Sequence, residues 1–158
     1  MTPELITNWT DHDSHLQKVL LLATRTLRIF DEDLSRLGLE KPENAYFLRR
    51  FLTNDRHNRL TVVVRNADPF RRNSPRLMRL LGDFPDAMTF CECAPQLVTL
   101  NDAMILADGS HALIRFHKDH VRSKAIIDNA DECRPYVLRF EEILKEGGTP
   151  VTTTTLGL

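Results

Sequence analysis

The sequence predicts a single α/β domain: a mixed, mostly parallel sheet with helices on both faces. Three observations predict it. Helix-like and strand-like segments alternate through the first half, the pattern of parallel strands joined by crossover helices. Two apolar runs then meet at Asp108-Gly109, a dipeptide that favours tight hairpin turns, so the second half is antiparallel. At 158 residues the chain has the length of one domain, since a chain of about this size buries about 70% of its unfolded surface.

Each element follows from local pattern. Asp13 or Ser14 caps a first helix whose Leu16, Val19, Leu20 and Ala23 recur at i, i+3, i+4, i+7. Residues 1–13 show no period and read as an N-terminal arm, leaving 14–158 as the domain. Residues 26–30 have strand character and run into the acidic cluster Asp31, Glu32, Asp33. Pro42 opens a second helix with Phe47, Leu48, Phe51 and Leu52 on its apolar face. Residues 60–64, LTVVV, form a short β-branched run bounded by polar residues, the signature of a buried strand. Ser74-Pro75 starts a third helix through Leu77, Met78, Leu80 and Leu81, with Gly82 as its stop. Strands follow at 88–93, 103–107, 111–116 and 124–128. The last helix begins near Asp131, takes Pro135 in its first turn, buries Val137, Phe140 and Leu144, and ends at Gly147-Gly148.

Composition bounds the function. Hydrophobic content of 42% and charged content of 27% are those of a soluble globular chain. No apolar run approaches the roughly 20 residues that span a bilayer. The N-terminus lacks a basic stretch followed by an apolar one, so export is not expected. Three cysteines in no framework spacing fit a reducing cytoplasm. Net charge is only −1, yet residues 49–79 carry nine arginines against two acids, Asp55 and Asp68. That excess makes either solvated helix faces or a surface attractive to phosphate.

Motifs for common chemistries are missing. The sequence holds no glycine-rich phosphate loop and no G-x-S-x-G elbow. Cys91-x-Cys93 places two thiols on one strand face, but no second pair stands at metal spacing, so both read as core residues. His117, Asp119 and His120 share a turn without a distant fourth ligand, so no metal is assigned to them.

The strongest signal is residues 100–116, LNDAMILADGSHALIRF. This hairpin resembles the catalytic hairpin of the phospholipase D superfamily, whose half-site is His-x-Lys-x4-Asp followed by Gly. Aligned on Asp108-Gly109, the His position falls on Asn101 and the Lys position on Ala103. Other segments match too: LRIFDEDL at 27–34, RLTVVVRNADP at 59–69, AIIDNADE at 125–132, LRFEEIL at 138–144 and the terminal LGL. Together they resemble a small bacterial family of degenerate phospholipase D-like domains. The string His117-Lys118-Asp119 does not repair the motif, because adjacent residues of a strand face opposite ways.

The resemblance implies a phospholipase D-like half without the nucleophilic His and its Lys, in which Asp108 is left as a turn residue. It therefore implies a binding or regulatory module rather than an enzyme, with no cofactor. Active relatives build their site from two halves, so a lone half implies a homodimer. Architecture supplies the candidate ligand residues, since open α/β sheets bind ligands at the carboxyl ends of their parallel strands. Those ends carry Asp31 and Asp33, then Arg65, Asn66 and Asp68. Arg72, Arg76 and Arg79 follow at i, i+4, i+7 and read as one basic ridge able to meet a phosphate-bearing ligand or nucleic acid. An atypical phosphodiesterase using His111, His117 or His120 is the remaining alternative.

Overall fold

The computed structural model describes residues 3–153, so the terminal LGL lies outside the described residues. In chain order the elements are β1 (Glu4–Ile6), α1 (Trp9–Leu22), β2 (Thr26–Asp31), α2 (Pro42–Asn54), β3 (Arg59–Val64), α3 (Asp68–Asn73), α4 (Pro75–Asp83), β4 (Met88–Cys93), β5 (Ala103–Ala107), β6 (His111–Arg115), β7 (Ser123–Ile126), α5 (Ala130–Lys145) and β8 (Gly148–Pro150). A short 3-10 turn at Pro95–Leu97 links β4 to β5.

The strands form an eight-stranded sheet in the order β1-β7-β6-β5-β2-β3-β4-β8. It is mixed, as expected, but among the described residues parallel pairing is confined to β2-β3 and β3-β4. The other five pairings are antiparallel. The expectation of a mostly parallel sheet fails because the hairpin inserts β5 beside β2, and each strand outward from it reverses again.

Helices cover both faces. Period-2 alternation sends Leu27, Ile29, Leu60, Val62, Ile105 and Leu113 to one core, where they meet apolar residues of α1, α2, α3 and α4. Phe30, Val63, Met104, Leu106 and Ile114 point the other way and pack under Cys133, Phe140 and Ile143 of α5. One helix thus serves a face that four serve on the other side. In the larger core Phe70 and Phe90 stack with ring centroids 3.9 Å apart.

The structure moves several expected boundaries. The expected arm is structured: β1 pairs with β7 and buries Ile6, and α1 starts at Trp9. Asn8 is the true cap, accepting the Asp11 N–H at 2.9 Å, so Asp13 and Ser14 are interior helix residues. Helix α4 runs through Gly82 to Asp83. In α5 the buried residue is Ile143, not the exposed Leu144. β8 was not foreseen; it lies against β4, and a Cβ at Gly148 would fall on the Glu92 carbonyl oxygen.

Asp108 does more than turn the chain. It sits at φ +57°, and its carboxylate accepts the N–H groups of Thr24, Arg25 and Thr26 and the Thr24 hydroxyl, at 2.7–3.0 Å. Partial burial pushes its pKa up, but these hydrogen bonds reverse the shift and leave it below the ordinary value. The carboxylate thereby ties the α1–β2 loop to the hairpin. Asp108→Ala, measured by urea unfolding, is expected to cost about 2–4 kcal/mol through lost charge-assisted bonds and a strained φ. Asp108→Gly relieves the φ strain alone and is expected to cost less. Because the folded pKa is depressed, this stabilisation is present at neutral pH and is lost as pH falls through the folded value.

Candidate functional site

The carboxyl end of the sheet is closed by a buried ion pair. Asp31 ends β2 and Arg115 ends β6, on the same sheet face, with β5 between them. Arg115 Nη2 donates to Asp31 Oδ1 at 3.0 Å, with both side chains withdrawn from water. The two meet above Ala103, which is paired with Arg115 and carries too little side chain to separate them. Arg115 Nη1 also donates to the Lys118 carbonyl, and Asp31 Oδ2 accepts the Leu34 and Asp33 N–H groups, folding the loop after β2. Burial pushes the Asp31 pKa up, against the opposing pull of Arg115 and these N–H groups. Helix α1 roofs the pair: the Trp9 ring lies 5.6 Å from the Arg115 guanidinium and 5.0 Å from the ring of buried His12. Burial pushes the His12 pKa below its ordinary value; the Asp13 hydrogen bond opposes this and Arg115 adds to it.

Arg65 lies nearby, buried, with its guanidinium 5.0 Å from the Phe30 ring and Nη1 donating to the Asp102 carbonyl. Its Nη2 has no hydrogen-bond partner among the described residues. The Asp102 carboxylate is held by Arg139 through two bonds of 2.7 and 2.9 Å. Asn101, at the expected His position, is exposed. Lys118 pairs with Glu32 at 3.0 Å.

The side chains of the remaining sequence candidates do not join this cluster. Asp33 accepts the Ser35 N–H and hydroxyl in the loop and lines a separate cavity of about 220 Å³. Asn66 accepts the Asp68 N–H at the start of α3, and Asp68 pairs with Arg71. The expected basic ridge is broken: Arg72 belongs to α3, whereas Arg76 and Arg79 belong to α4, because the chain turns at Ser74 before Pro75 opens a new helix. Arg76 and Arg79 face α2 instead, lining a groove of about 390 Å³ with Arg49 and the exposed Tyr46. Asp83 braces this groove, 2.8 Å from Arg49 and 4.0 Å from Arg79. Glu40 is 3.7 Å from Arg76, but its carboxylate chiefly caps α4 through the Arg76 and Leu77 N–H groups.

No metal site forms among the described residues. His117 Nδ1 accepts the Asp119 N–H, and the His120 ring is 5.1 Å away. Cys91 and Cys93 share a strand face, and burial pushes the Cys133 thiol up to about 11, away from reactivity.

Sequence reading missed Arg115, His12, Trp9 and Asp102. For His12 a signal existed, since it stands four residues before Leu16 on the same helical stripe. For Arg115 none did; only the β2-β5-β6 register sets it opposite Asp31.

A family model described as a domain of unknown function, DUF7931, matches residues 8–150. The chain belongs to that family. No curated protein matches the sequence of this DUF7931 domain. Solved structures do match its fold. Nuc from Salmonella typhimurium, a phospholipase D family member, aligns over 96% of this chain and 99% of its own, at TM-score 0.65 and 10% identity. NucT from Helicobacter pylori aligns over 95% and 99%, at TM-score 0.62 and 10% identity. TrmBL2, an archaeal chromatin protein described as showing a novel mode of DNA binding, aligns over 96% of this chain at TM-score 0.67 and 10% identity. The domain spans only 55% of the TrmBL2 chain. The fold is therefore that of the phospholipase D family.

Two outcomes are expected from the sheet end. Arg115→Ala strands a buried carboxylate and should cost about 3–5 kcal/mol in urea unfolding, whereas Asp31→Asn with Arg115→Met should recover most of it. His12 takes up a proton more readily unfolded than folded, so stability should fall as pH drops below about 6.5. His12→Gln should remove that part of the pH profile.

Proposed function

We propose that this DUF7931 domain is a non-catalytic binding or regulatory module on a phospholipase D-like scaffold. The observation that carries the reading is the Asp31–Arg115 pair closing over Ala103. In the resemblance stated above, position 103 belongs to a lysine that would neutralise phosphoryl oxygens and position 101 to the attacking histidine. A lysine at 103 would enter the space where the pair meets and add a like charge beside Arg115. The scaffold has thus exchanged a charged catalytic floor for a sealed structural one. Asn101 offers no comparable nucleophile. The three unpaired cysteines fit a cytoplasmic setting, and self-association fits the exposed Val98, Phe116 and Leu138.

A second reading, nucleic-acid or phosphate binding, is favoured by the arginine groove between α2 and α4 and by the DNA binding described for TrmBL2. Three arginines stand there against two acids, Asp83 beside Arg49 and Arg79 and Glu40 beside Arg76, and the exposed Tyr46 adds an aromatic face.

The test of the first reading is hydrolysis of bis(p-nitrophenyl) phosphate, with the Asn101→His, Ala103→Lys double variant alongside. No turnover is expected from the natural chain, and the double variant should be destabilised rather than active. Turnover that disappears on changing His111, His117 or His120 would overturn the proposal. For the second reading, affinity for an oligonucleotide should fall steeply with salt and weaken at least tenfold in Arg49→Ala, Arg76→Ala, Arg79→Ala. Salt-independent binding would sink it.

A further inference from the structure

Helix α5 has a free face with an unusual order of side chains. Asp131, Arg134, Leu138, Glu142 and Lys145 fall within one narrow stripe, since their spacings of 3, 4, 4 and 3 residues keep them on the same side of the helix. All five are exposed, Leu138 to 55%. The charges are arranged symmetrically by sign about Leu138. Arg134 and Glu142 stand four residues either side of it, and Asp131 and Lys145 stand seven either side, each pair of opposite charge.

We infer that α5 is a homodimer interface, in which two copies of the helix pack antiparallel about a two-fold axis at Leu138. An antiparallel two-fold places residue 138 on its own copy, Arg134 against the partner's Glu142, and Asp131 against the partner's Lys145. Both charge pairs then form twice. Among the described residues these groups make short-range pairs along their own helix, Arg134 to Asp131 at 3.4 Å and Lys145 to Glu142 at 3.3 Å. Exposed pairs of that kind contribute little, so exchanging them across an interface loses little.

The apolar component is also present. Pro135, Leu138, Arg139 and Glu142 stand at i, i+3, i+4, i+7, the four corners of a hole that accepts a side chain from a facing helix. They line a groove of about 380 Å³ completed by Leu97 and Leu100, which come from the β4–β5 connection. The partner's Leu138 fits that groove. A partner of unrelated sequence would have no reason to match a charge order that is its own complement, so the occupant is a second copy of this chain.

This inference rests on the self-association proposed above and adds where it occurs. Sedimentation equilibrium of the whole chain across a wide concentration range tests it, with circular dichroism confirming that each variant folds. Leu138→Asp should raise the dissociation constant at least tenfold. Arg134→Glu and Glu142→Arg should each weaken the dimer, and the two together should restore it, because the reversed charges again face each other. A dimer indifferent to Leu138→Asp, or a double reversal that fails to recover, would overturn the α5 interface while leaving self-association intact. A wild-type chain that stays monomeric at every concentration would remove both.

Discussion

The end of the sheet depends on one contact between a carboxylate and a guanidinium that share almost no water. Asp31 and Arg115 come from strands separated by β5, and their meeting needs a small residue on β5, which Ala103 supplies. The same two side chains also hold the loop after β2, through the Leu34 and Asp33 N–H groups on Asp31, and the loop after β6, through the Lys118 carbonyl on Arg115. Helix α1 lies over it with Trp9 and His12. Desolvating two charges is costly, and the pair is sustained by hydrogen bonds on both partners. Such an arrangement specifies how strands and loops register more than it adds to net stability.

Much of the architecture was legible because it rests on local chemistry. The β-branched run at β3, the Asp-Gly hairpin and the Pro-initiated helices α2 and α4 each announce themselves within a few residues. What failed were properties that exist only between distant segments. Nothing in residues 4–6 marks a strand until β7 provides its neighbour, and β8 exists only because β4 has a free edge. The basic ridge failed for a subtler reason. The spacing of Arg72, Arg76 and Arg79 is helical, but Ser74 interrupts the helix, so periodicity was read across a break.

The candidate site shows the same division. The Asn101 and Ala103 positions were visible in the sequence, whereas the group that fills the space above Ala103 was not, since Arg115 ends an apolar strand like any flanking charge. The arginine excess of residues 49–79 was likewise visible, but its local balance was not. Asp83 lies just outside that segment and Glu40 just before it, and both fold back onto its arginines. Counting charge along a chain therefore overstated the field that the surface presents.

The sheet order has a further consequence for how the chain reaches this structure. β2, β3 and β4 pair parallel to one another through the intervening helices, so this part can assemble before β5 has been made. β1 cannot pair until β7 has been made, and β2 waits for β5 on its other side. During synthesis β2 therefore presents an open edge while more than half of the chain is still to come. Long-range strand pairing of this kind slows folding and leaves edges exposed to wrong partners. The Asp108 carboxylate, bound to the backbone that leads into β2, sits where that late strand must arrive.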